Sequence, residues 1–236
     1  MIAEDISYSQ DGLLMRGCLV APEGAGDLPG ILLVHGAHGL NGFILGIANR
    51  LAGQGHAVLA LDLWGRREQL SDPARIGEKL GACVRNRAGW MSRVEVARAQ
   101  LAARPEVDPD RIGALGYCFG GATVLEYARS GGDVAGVVSF HGGLDLVSDE
   151  WGTQSRGPVL ICSGSDDPMA TPEDLTRLTG AMSAAGVAWE LDLYGGARHA
   201  FTEPDAPGRP PFARYDARAD RRSWAAMSEF FNDIFS

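Results

Sequence analysis

Lysine is nearly absent from this chain: among 21 basic residues only Lys79 is a lysine, and the rest are arginine. Acids outnumber bases for a formal charge of −9, and no basic block stands out. Nucleic acid and anionic membrane surfaces are therefore excluded as expected partners. Cysteine is also scarce, with Cys18, Cys83, Cys118 and Cys162 widely spaced and no CxxC pair. That spacing argues against a zinc ribbon or a dithiol redox motif and for free thiols. The opening stretch MIAEDISYSQDG has early acids and no apolar h-region, so a secretory signal is not expected and the cytoplasm is the expected location. No apolar run approaches about 18 residues, the length of a membrane span. Repeats and low-complexity linkers are missing as well.

What is present is an ordinary globular composition, 45% hydrophobic and 22% charged over 236 residues. One α/β domain over 1–236 suits that length. The segments DISYSQ and LLMRGCLVAP predict a β-hairpin around Asp11-Gly12, a favoured two-residue turn. GILLVHG, HAVLALDLWG, RIGALGY, VAGVVSFHGG and GPVLICSG are short continuous apolar runs, as expected of strands covered on both faces. VAWELDLYGG is the last strand. Helical spacing appears over 41–55, with Asn41 as N-cap and Gly55 as stop. It returns over 89–105, from Pro172 to Ala185, and over 221–235. Residues 65–88 are Arg-rich and poorly periodic, and read as a cap-like insertion over a site. Strands alternating with helices predict a doubly wound, mostly parallel sheet with helices on both faces, the α/β-hydrolase type.

The chemical signal is GALGYCFGGATVLEYA, a strand, a glycine turn and a helix start with Cys118 at its apex. Gly116-Tyr117-Cys118-Phe119-Gly120 is the nucleophile-elbow pattern with cysteine in the serine position. A nucleophile lifted from a strand end takes a strained backbone, and its flanking residues must be tiny. The helix N-terminus favours a thiolate and a developing oxyanion. A buried thiol in a glycine-rich turn is the plain alternative. The downstream sequence decides against it, because an elbow of this kind requires an acid after a later strand and a histidine after the last one. ICSGSDDPMATPED supplies the acid and LYGGARHAFTEPD supplies His199. Asp166 and Asp167 compete for the acid role. The G-x-x-D-P arrangement beginning at Gly164 favours Asp167, while Asp166 suits a bond to its own loop backbone.

Among the other histidines, His56 reads as packing, and His141 either lines a cleft or satisfies backbone. His35 and His38 lie in VHGAHGLNGF, where half of an oxyanion hole is built in such folds. The Ala37 amide is the candidate there, partnered by that of Phe119. His38, Trp64 and Phe201 are expected to line a substrate pocket. No carboxylate or cysteine accompanies His35 and His38 at ligand spacing, so neither a metal nor a cofactor is expected. Asp62 in LDLWG reads as a turn anchor.

The loop HGAHGLNGF, the strand end LDLWG, the elbow GYCFGG, the acid loop GSDDP and the histidine loop GGARHAF together resemble the dienelactone hydrolase family, over nearly the whole chain. The resemblance implies Cys118 as nucleophile, Asp167 as acid, His199 as base, and Ala37 and Phe119 as oxyanion donors. It implies a small ester, lactone or thioester as substrate. Two positions depart from the family members that cleave dienelactone itself. Gly36 stands where they carry a glutamate that engages the resting thiol. The stretch Ala200-Phe201-Thr202-Glu203 ends in a carboxylate where they grip the substrate with an arginine. Arg66, Arg67, Arg85, Arg87 and Arg214 are candidates to compensate. A non-catalytic binding protein or thiol redox sensor on the same fold is the competing reading.

Overall fold

A computed structural model describes residues 1–205 and 209–236. The chain is an α/β fold whose eight strands follow the order β1-β2-β4-β3-β5-β6-β7-β8. It divides into two compact units, Met1–Ala114 and Leu115–Ser236, and β5 (Val107–Tyr117) runs through the boundary.

The first unit opens with β1 (Ile2–Gln10) and β2 (Leu13–Ala21), an antiparallel hairpin in which Gln10 pairs with Leu13. Asp11 and Gly12 both have positive φ, 48° and 78°, as the tight turn demands. β2 pairs antiparallel with β4 (Ala57–Ala60), and β4 pairs parallel with β3 (Leu28–Val34). The core of this unit includes Ile31, Leu32, Leu33, Val34, Val58 and Leu59, all fully buried or nearly so.

Helix α1 (Gly42–Ala52) starts where expected, with the Asn41 side chain accepting from the Ile44 amide at 3.2 Å. It stops before Gly55, however, since Gly53 already closes the helix, its amide bonding back to the Asn49 carbonyl. The 65–88 stretch, expected to be poorly periodic, contains a regular helix, α2 (Pro73–Arg85), followed at once by α3 (Arg87–Ala102). Asp72 caps α2 and Pro73 occupies its first turn, an N-terminal signal that is present in the sequence. Ile76, Leu80, Cys83 and Val84 fall at helical spacing, but only Cys83 is buried and the other three are half-buried among many charged residues. Asp62 is the turn anchor expected of it: its buried carboxylate accepts from the amides of Arg16, Trp64, Gly65 and Arg67.

The second unit carries the end of β5, then α4 (Phe119–Arg129), β6 (Val137–Phe140), β7 (Val159–Gly164), α5 (Pro172–Ala184), β8 (Trp189–Tyr194) and α6 (Ala217–Ile234). β6, β7 and β8 pair in parallel. The mainly apolar runs of β6 and β7 are completely buried, whereas edge strand β8 leaves Trp189 and Leu193 exposed. α5 begins in a capping box of Thr171 and Asp174. α6 begins four residues earlier than its apolar spacing suggests, because the Asp216 carboxylate accepts from the Arg218 and Ala219 amides, each at 2.9 Å. Among the described residues no helix is long and apolar enough to cross a membrane.

Candidate active site

β5 ends at Tyr117 and α4 begins at Phe119, leaving Cys118 alone at the apex between them. Its backbone is strained, with φ 56° and ψ −117°, a region side-chain-bearing residues seldom occupy. The strain is held by the Cys118 amide, which donates to the Phe140 carbonyl at 3.0 Å and so extends the ladder to the end of β6. The flanking glycines have direct steric reasons. A Cβ on Gly116 would collide with the Gly120 carbonyl, and one on Gly121 would come within 2.6 Å of Ser139 Oγ. The Cys118 side chain is half-buried, and the positive end of α4 lies at its backbone.

One strand further, the turn after β7 separates the two aspartates by burial. Asp166 is exposed and accepts from Ser165 Oγ at 2.8 Å. Asp167 is 3% exposed, and its carboxylate bridges two partners. Oδ1 accepts from the Met169 amide and Oδ2 from His199 Nδ1, both at 2.8 Å. The Nδ1 bond places the ring proton on the Asp167 side and leaves Nε2 for other chemistry. His199 is buried, and its backbone is clasped by the segment that leads into α6. Its amide donates to the Phe212 carbonyl at 3.1 Å, and its carbonyl accepts from the Arg214 amide at 3.0 Å.

Electrostatics favour a protonated His199. Burial alone would depress its pKa; the charge of the nearby Cys118 sulfur and the hydrogen bond to Asp167 outweigh that and carry it up to about 10. Nε2 is buried and has no hydrogen-bond partner of ordinary geometry.

His141, one residue past β6, lies in the same cluster, its ring 5.2 Å from that of His199. Phe201 is wholly buried and packs edge-on against His141 and Tyr194. In the first unit, Ala37 lies in the turn after β3, where its carbonyl accepts from Trp64 Nε1 at 3.0 Å. Trp64 is buried with Lys79 over its ring, and exposed His38 is tied through Nδ1 to the Leu70 carbonyl. His35 is fully buried with both nitrogens used, one accepting from the Leu63 amide and the other donating to the Gly36 carbonyl. Among the described residues no group of three or more His, Cys, Asp or Glu stands ready to hold a metal ion.

Arg209 is a residue that sequence reasoning missed. Its guanidinium donates to the carbonyls of Ala200, Glu203 and Pro204 and lies 3.3 Å from the Glu203 carboxylate. Glu203 is thereby neutralised inside its own loop. Nothing in the local spacing announced this, since the partners lie five to nine residues apart along the chain.

A strand-end nucleophile candidate followed by acid and histidine on later strand ends, over a mostly parallel sheet, defines an α/β hydrolase. The dienelactone hydrolase family model matches residues 15–235, and the chain belongs to that family. It is 28% identical over 210 residues to a probable 2-oxo-3-(5-oxofuran-2-ylidene)propanoate lactonase of Bradyrhizobium sp, covering 84% of each chain. Among solved structures it resembles m3DLH, with 36% identity and a TM-score of 0.94, covering 100% of this chain and 99% of the other. It equally resembles P91, a dienelactone hydrolase-like promiscuous phosphotriesterase from metagenomic libraries, with 35% identity, a TM-score of 0.93 and the same coverage.

Proposed function

We propose that this hydrolase cleaves a small ester, lactone or thioester through an acyl-enzyme on Cys118. The observation that carries the reading is the buried 2.8 Å bond between Asp167 and His199, in the loops that follow the elbow along the chain. The Cys118 thiolate attacks the carbonyl carbon, and the oxyanion is received by the Phe119 amide at the start of α4. As the tetrahedral intermediate collapses, His199 gives its Nε2 proton to the departing oxygen or sulfur. Neutral His199 then takes a proton from water, hydroxide attacks the thioester, and the carboxylic acid leaves as the thiolate and imidazolium are restored. Asp167 holds the tautomer throughout. No step of this cycle calls on a carboxylate at position 36, so the glycine there is compatible with it. Arg209 is engaged by the Glu203 carboxylate, so that guanidinium is not free to grip an anionic substrate, which supports an uncharged ester or lactone.

Brief exposure to p-nitrophenyl acetate, followed by intact-mass measurement, tests the reading. An acetyl adduct with p-nitrophenol release in wild type, both lost in Cys118→Ala, is the expected result. A folded wild type that forms no adduct with this ester, a lactone panel or a neutral phosphotriester overturns it. A stable sulfenic acid on Cys118 in that same protein would identify a thiol redox sensor instead.

A further inference from the structure

His141 is fully buried, yet its Nδ1 has no hydrogen-bond partner. An unpaired buried nitrogen costs about 1–3 kcal/mol, and a phenylalanine would fill the same ring-shaped space without it. The position is also conformationally demanding, with φ 37°, held by its amide donating to the Cys162 carbonyl at 2.8 Å. Packing alone gives no reason for histidine here. Its other nitrogen supplies one: Nε2 lies 2.8 Å from the hydroxyl of buried Thr202.

Thr202 follows His199 by three residues. Ala200, at φ 54°, turns the chain immediately after His199, so that Phe201 and Thr202 fold back onto His141. His141 therefore meets the loop at three points: edge-on to the His199 ring, edge-on to the Phe201 ring, and by hydrogen bond to Thr202. A single hydrogen bond, to Asp167 at Nδ1, holds the His199 ring, with the Phe212 ring tilted 6.2 Å away. The edge-on His141 ring, closer at 5.2 Å, further restricts how the ring can turn about that bond.

We propose that His141 and Thr202 are a positioning pair for His199: the His141 ring braces the His199 ring, and the Nε2–Thr202 bond locks the brace to the loop that carries it. The pair deepens the acyl-enzyme reading and rests on His199 being its acid and base. Burial, and then the charges of His199 and Arg209, keep His141 far below the ordinary histidine range, so the brace is a neutral ring beside an imidazolium. Other titratable groups in this surround are Cys118 and Asp167, which act on His199, and Asp145, on which His199 acts.

The test is steady-state kinetics on p-nitrophenyl acetate for His141→Phe, Thr202→Val, the double variant and His141→Gln, with Cys118→Ala and His199→Gln alongside. One lost neutral hydrogen bond corresponds to about tenfold in rate. Both single variants are expected to lose about that factor in kcat with KM unchanged. The double variant should fall no further than the singles, and His141→Gln, whose amide can reach Thr202, should recover most of the loss. Full kcat in Thr202→Val, additive losses in the double variant, or lowered thermal stability with kcat unchanged would each overturn the pair. If His141→Phe fails to fold, Thr202→Val and His141→Gln decide the matter by the same criteria. Turnover surviving in His199→Gln or Cys118→Ala would instead sink the underlying catalytic reading.

Discussion

The carbonyl group of Gly120 occupies the space that a Cβ on Gly116 would need, so the two ends of the elbow touch through backbone alone. Any side chain at 116 has to push the first turn of α4 away from the strand. Gly116→Ala should therefore cost more than about 3 kcal/mol and abolish turnover. Gly77→Ala, in the middle of α2 with open space around its Cβ, should instead stabilise by about 0.5–1 kcal/mol. Urea unfolding of the two variants checks the contrast; similar small changes for both would refute the steric account.

Asp166 and Asp167 are neighbours with opposite surroundings. Asp167→Asn removes the carboxylate charge and turns one of its two acceptor oxygens into an NH2 donor, so that Met169 and His199 can no longer both be served, and should lower kcat by roughly 10³- to 10⁴-fold. Asp166→Asn alters an exposed carboxylate bonded to Ser165 and should change kcat by less than about threefold. Comparable losses in both would mean that the acid has been misassigned.

The proton on His199 links stability to pH. Its folded pKa of about 10 lies above the ordinary 6.5, so the group binds a proton more tightly in the folded state. Its contribution is complete below about pH 6.5 and is lost as pH rises toward 10. The stability advantage of wild type over His199→Gln, followed by chemical denaturation, should shrink steadily across that window. A constant difference from pH 6.5 to 10 would show that His199 is neutral at rest.

Asp62 accepts four backbone amides from residues on both sides of its turn. Asp62→Ala leaves those donors unpaired in a buried place and should destabilise by at least about 3 kcal/mol. The expectation fails if thermal unfolding of the variant stays within a degree or two of wild type.

Arg209 gathers three carbonyls and one carboxylate of the histidine loop. Arg209→Met keeps the length of the side chain and removes every donor. It should raise proteolytic nicking near 200–205 and reduce kcat several-fold. A variant as protease-resistant as wild type would show that the loop holds without the clamp.

Much of the molecule was legible because the governing interactions are local. The Asp11-Gly12 turn, the Asn41 cap and the buried runs of β3, β6 and β7 each follow from neighbouring residues and a single period. The short-range exceptions were also local in cause. α2 sets its apolar residues among many charged ones after a clear Asp72-Pro73 start, and α6 begins at the Asp216 cap rather than where its apolar stripe becomes dense.

The sequence by itself determined the elbow, since glycines at 116, 120 and 121 around Cys118 answer a steric demand spanning six residues. It also determined the order of strands, acid and histidine along the chain. The G-x-x-D-P spacing favoured Asp167 over Asp166, but only the tertiary structure shows its carboxylate turned inward to His199, because adjacent residues in one turn differ by direction and not by composition. The same holds for His141 and Thr202, 61 residues apart, and for the proton on His199. That proton depends on Cys118, Asp167 and burial, brought from three separate strand ends to one place. Charges act through space, and no spacing along the chain encodes that distance.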